Sequence, residues 1–108
     1  MAMSHITNVM LTASGPFDTN ENFMKLQEWL LFGRIDDDDR RLARIDKAGD
    51  HGDAFLRRDM WAGAFNYLDL DEFIERARKL RNGVGDQMSN LQIFILKESE
   101  FKWMEVKL

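Results

Sequence analysis

Residues Leu68–Leu80 constrain the fold of this chain more than any other stretch, because they carry the start signals of an amphipathic helix together with its buried stripe. Asp69 is placed to accept a hydrogen bond from the backbone N–H of Glu72, and Glu72 to reach back to the N–H of Asp69. Leu68 before the cap and Phe73 after it can close as a hydrophobic staple. Phe73, Ile74, Ala77 and Leu80 then recur at helical spacing and predict one buried face. Arg76, Arg78, Lys79 and Arg81 gather toward the end, where positive charge suits the negative end of the helix dipole. Asn82-Gly83 is the expected stop.

A helix patterned this way needs an apolar layer to pack on, and the residues after it supply one. Leu91–Leu96 is apolar on both faces, which predicts a strand in the interior of a sheet. Lys97–Glu100 reads as a tight polar turn, and Phe101–Leu108 as an antiparallel return strand. In that strand Phe101 and Trp103 face one way, and Met104, Val106 and Leu108 the other.

The N-terminal half begins with a strand and a helix of its own. Ile6–Ala13 is β-branched and apolar on both faces, and Ser14-Gly15-Pro16 ends it. A helix is expected from Asp18 or Thr19, with Glu21 in its first turn, Phe23, Leu26 and Leu30 as its buried stripe, Trp29 beside them and Gly33 as its stop. Asp36–Asp39 is a solvated charge cluster, partly neutralised by Arg40 and Arg41. Leu42–Lys47 is a strand candidate in which Leu42, Arg44 and Asp46 alternate with Ala43 and Ile45. Gly49–Asp53 reads as a turn, and Met60–Tyr67 as the second arm of a long-looped hairpin, with a short buried helix or an irregular connection over Trp61–Phe65 as the alternative that periodicity leaves open. The element order is β-α-(β-β)-α-β-β, predicting one α+β domain over residues 1–108 with two helices on one face of an antiparallel or mixed sheet. Without its last strand this is the split β-α-β arrangement of ferredoxin-like sheets.

Composition supports a folded domain: 108 residues, 44% hydrophobic and 31% charged, are enough for a core inside a charged surface. The absence of cysteine excludes disulfides, thiolate metal sites and thiol nucleophiles. A net charge of −4 weighs against nucleic acid and anionic membrane as partners. No apolar run approaches a membrane span, and Met1–His5 lacks the basic and apolar regions of a signal peptide, so a cytoplasmic location is expected.

Chemistry-bearing motifs are sparse. The loop Asp46–Asp53 concentrates carboxylates and an imidazole between glycines, which makes Asp50, His51 and Asp53 the metal or substrate candidates. Their spacing matches neither a calcium loop nor a His-Glu-x-x-His helix, and the same residue types are ordinary turn formers. Gly83-Val84-Gly85 follows a helix rather than a strand, so it caps the helix instead of cradling phosphate. No serine sits in a nucleophile elbow, and Gly63–Tyr67 has aromatics without the basic residues of an RNA-binding strand. No catalytic residue and no cofactor are expected.

The last strand carries a different signal. Phe101, Trp103 and Met104 form an aromatic and apolar group near a sheet edge, flanked by Lys102, Glu105 and Lys107, which guard such an edge against unwanted pairing. The expectation is a small acidic protein that binds another protein, in an inhibitor, immunity-type or accessory role, or pairs with itself as a homodimer. The alternative is a small ligand- or metal-binding domain or enzyme that uses the Asp46–Asp53 loop.

Overall fold

The computed structural model describes residues 6–32, 41–49, 52, 58–82 and 88–108. Its elements, in chain order, are β1 (Ile6–Ala13), α1 (Glu21–Phe32), β2 (Ala43–Arg44), a 3₁₀ turn (Asp46–Gly49), β3 (Asp59–Asn66), α2 (Leu70–Arg81), β4 (Gln92–Lys97) and β5 (Met104–Val106). The strands form one five-stranded sheet in the order β2-β3-β1-β4-β5, and every neighbouring pair is antiparallel. Each β-α-β crossover skips one strand. β3 lies between β1 and β2, β1 lies between β3 and β4, and β5 adds a fifth strand outside β4. The α+β class and the split β-α-β order therefore hold, and the sheet is antiparallel rather than mixed.

Register explains which side is packed. Val9 pairs with Gly63 and Ile95, and Leu11 with Trp61 and Ile93, so the odd-numbered residues of the three central strands share one face. Val9, Leu11, Ala13, Phe65, Ile93 and Ile95 are buried there. Phe23, Leu26 and Leu30 of α1 and Phe73, Ala77 and Leu80 of α2 join the same core cluster, so both helices lie on that face. Phe23 meets the ring edges of Phe17 and Trp61 at centroid separations of 5.0 Å and 4.9 Å, in the tilted geometry that aromatic quadrupoles favour. On the opposite face Met10, Met60, Ala62, Phe94 and Leu96 are half-buried.

Local signals place the helix ends, with two departures from expectation. Asp69 caps α2 through Oδ1, which accepts the N–H of Glu72 at 3.2 Å. Glu72 does not complete the box, because its carboxylate is engaged by Arg76 one turn on, at 3.0 Å. An ion pair at four-residue spacing thus replaces the reach back to the cap. The first helix starts at Glu21 rather than at Asp18 or Thr19, since Asn20 is its cap: Asn20 Oδ1 accepts the N–H of Phe23 at 3.1 Å.

Two strand expectations shorten. Leu42–Lys47 contributes only Ala43–Arg44 to the sheet, after which Asp46 opens the 3₁₀ turn. Phe101–Leu108 contributes only Met104–Val106, and Phe101 and Lys102 form a bend ahead of it. Ile74, expected in the buried face of α2, is half-buried.

Candidate functional site

The two edges of the sheet differ in what they hold, a cluster of charged side chains at one and exposed apolar side chains at the other. At the β2 edge, Arg44 reaches three aspartates. Its Nε donates to Asp46 Oδ1 at 3.0 Å and Oδ2 at 3.2 Å, one terminal nitrogen donates to Asp59 Oδ1 at 3.1 Å, and the other stands 4.0 Å from Asp18. Asp46 is only 4% exposed and also accepts the N–H of Met60 at 3.0 Å. Burial pushes the Asp46 carboxyl upward, but the Arg44 hydrogen bond, the Met60 N–H and the Arg44 charge together outweigh it and hold the group below its ordinary value. Arg44 is raised in turn, chiefly by the Asp46 hydrogen bond and also by the charges of Asp59, Asp46 and Asp18, against the effect of desolvation. Asp46 is therefore a structural counter-ion rather than a free ligand of the Asp46–Asp53 loop.

Asp50, His51 and Asp53 lie outside the described residues. Among the described residues no group of three or more His, Asp or Glu side chains is arranged to hold a metal ion. Just before β2, the Gln27 side-chain amide donates to Leu42 O at 2.9 Å and accepts its N–H at 2.8 Å, satisfying both backbone groups of a buried residue. Neither anchor follows from a motif. The one readable trace is the alternation of Leu42, Arg44 and Asp46, which sets Arg44 and Asp46 on a common side.

The opposite edge is built differently. Phe101 is 99% exposed, Met104 60% and Trp103 46%. Met104 pairs with Ile95 and Val106 with Ile93, so their side chains lie on the helix-covered face. Glu105 pairs with Phe94 on the other face. A notch of about 150 Å³ opens beside β5 on the helix side, lined by Leu70, Ile95, Met104 and Val106 with Lys97, Glu100 and Glu105 at its rim.

Backbone polarity can be followed across the whole sheet. The N–H of Ile45 donates to Met60 O at 2.8 Å, while the N–H of Met60 donates to Asp46, so both main-chain groups of Met60 face the β2 side. Antiparallel ladders alternate residue by residue. Trp61 and Gly63 therefore face β1, and Leu11 and Val9 face back at them. Met10 faces β4, where Phe94 answers it. Ile93 and Ile95 then face β5, and Val106 and Met104 face β4. This leaves the N–H and C=O of Glu105 directed away from the sheet, on an edge where no sixth strand pairs among the described residues.

Phe101, Trp103 and Met104, the three residues expected to contact a partner, are each exposed at or just before the β5 edge, with Met104 on the helix-covered side and Phe101 in the bend ahead of the strand. No family model matches the chain, and no curated protein or solved structure matches it.

Proposed function

We propose that this protein works by binding another protein through β5 and the residues leading into it. The observation that carries the reading is the exposure of three large apolar side chains within one short stretch, Phe101, Trp103 and Met104, at and just before a strand edge with an outward-facing main chain. Large apolar side chains left in water cost the unbound protein solubility, whereas burial of their exposed area in an interface removes it from water. An open edge adds main-chain hydrogen bonds by strand addition, so affinity and orientation come from the same few residues.

Inhibitor, immunity-type and accessory-subunit roles all use such a surface. The alternative of a metal or ligand site on the Asp46–Asp53 loop gains no support from Asp46, whose carboxylate is occupied by Arg44 and Met60. The test is affinity capture with the full chain from extract of its own source cells, run beside Trp103→Asp. Circular dichroism first establishes that the variant is folded. A stoichiometric protein held by the native chain and lost with Trp103→Asp supports the reading. Retention indifferent to Trp103 overturns it.

A further inference from the structure

The β5 edge is self-complementary, and from this we infer that its partner is a second copy of the same chain, joined edge to edge about a two-fold axis through Val106. The inference rests on the proposal that β5 is a protein-binding edge, and it names the occupant. Only residues whose main-chain groups point outward can exchange hydrogen bonds with an added antiparallel strand. By the alternation established above these are Glu105 and, continuing along the chain, Trp103 and Lys107. A two-fold antiparallel pair centred on Val106 sets Glu105 opposite Lys107 of the second copy, and Lys107 opposite its Glu105, while Trp103 and Phe101 flank the paired segment instead of entering its ladder.

Both charge pairs are attractive, and both fall at hydrogen-bonded positions of the new ladder. Val106 then meets its own copy at the axis, and Met104 meets Leu108. Those three residues share the helix-covered side, where Val106 and Leu108 already pack against the core. Leu108 of the second copy comes to lie beside Met104, over the notch formed with Leu70 and Ile95.

Charge separates this register from its neighbours of the same parity. Moving the axis to Glu105 sets two glutamates directly opposite each other, which is destabilising. Moving it to Met104 sets Lys102 against Val106 and leaves both charges of the strand without an opposite partner. A closed two-fold pairing also consumes the edge, so the ten-stranded sheet it makes does not grow into a fibre through β5. Lys102 and Lys107, which discourage random strand addition, are compatible with this one register because Lys107 has a counter-charge there.

The experiment is sedimentation equilibrium of the full chain over a wide concentration range, with Glu105→Lys and Lys107→Glu, each alone and mixed in equal amounts. Circular dichroism checks that each folds. The native chain is expected at twice its 12.7 kDa monomer mass. Each single variant replaces two attractive pairs with two repulsive ones, which raises the dimer dissociation constant by about tenfold or more. Mixing the two variants restores opposite charges at every position and recovers a dimer.

A native chain that stays monomeric throughout overturns the inference. If Trp103→Asp nevertheless abolishes capture of a different protein, the binding edge stands and only its occupant is wrong. A native dimer indifferent to both charge variants overturns the register and the axis.

Discussion

The two edges of this sheet solve the same problem in opposite ways. β2 contributes two residues and β5 three, so neither strand is long enough to hold itself by its ladder alone. At the β2 edge, side chains from elsewhere in the fold supply what the ladder lacks. The Gln27 amide takes both main-chain groups of Leu42, and Arg44 links Asp46, Asp59 and Asp18 in a half-buried cluster. At the β5 edge the described anchors are slighter. Arg81 donates to Leu108 O, and Gln92 approaches Glu105 at 3.5 Å, the limit of a hydrogen bond. One edge is closed by groups that tolerate a single geometry, while the other keeps its apolar side chains and its Glu105 main chain turned outward. The side-chain anchors are concentrated at the first edge, and the exposed apolar side chains at the second.

The largest test of this contrast is Asp46→Ala. It removes the charge-assisted hydrogen bonds that Arg44 makes to a buried carboxylate and orphans the Met60 N–H, while Arg44 keeps Asp59 and Asp18, so a loss of about 3 kcal/mol is expected in urea unfolding. A loss below about 1 kcal/mol would erase the distinction between the edges, because surface substitutions reach about half that. Acid titration sharpens the same point. Asp46 is held below its ordinary value in the fold, so its stabilising contribution is fully present above its unfolded value of about 3.9. That contribution disappears as pH falls through the lower folded value. Asp46→Asn is expected to be less stable than the native chain near neutrality and to lose less stability on acidification below about pH 4. Equal acid slopes in the two proteins would show that Asp46 does not carry this linkage.

A second, smaller effect is expected where the cluster meets the end of β1. Gly15 has φ +75°, and a Cβ there would stand 2.6 Å from Asp59 Oδ2. Gly15→Ala therefore combines a left-handed backbone cost of about 1–2 kcal/mol with displacement of the Asp59 carboxylate from Arg44. Urea unfolding of Gly15→Ala, Asp59→Ala and the double variant separates the two parts. The glycine substitution is expected to cost less once Asp59 is already alanine, since the clash is then absent. Strict additivity would mean that the close approach has no energetic content.

The contrast between the edges also marks what the residues themselves reveal. The Asp69 cap, the buried stripe of α2, the whole of β1 and the interior position of β4 are local in origin, set by hydrogen-bonding side chains within one turn or by runs of apolar residues. Those features could be read before any tertiary contact was known. The exposed group at Phe101, Trp103 and Met104 could be read too, because its members lie close together in the chain. The Arg44 cluster could not, because its members are brought together by the pairing of β1, β2 and β3 and no spacing in the chain announces it. Asp46 thus reads as one more turn carboxylate until the position of Arg44 is known. The strand ends failed for a related reason: alternation persists through Asp46 and from Phe101, but the ladder does not reach that far.

The smallest expected effect on stability is also the one that bears most directly on the open edge. Phe101 is 99% exposed, so its removal returns almost no apolar area to water and leaves no cavity. Phe101→Ser should shift the urea midpoint by no more than about 0.5 kcal/mol in equivalent stability, while weakening capture by the proposed surface. The two readouts divide the interpretations cleanly. A stability loss above about 1 kcal/mol would mean that Phe101 packs against the fold in solution, and the β5 edge would then be as closed as the β2 edge. Unchanged stability with unchanged capture would confine the contact to Trp103, Met104 and the strand itself. Unchanged stability with weakened capture would place Phe101 within the contact surface, because a side chain this exposed acts chiefly through what it touches elsewhere.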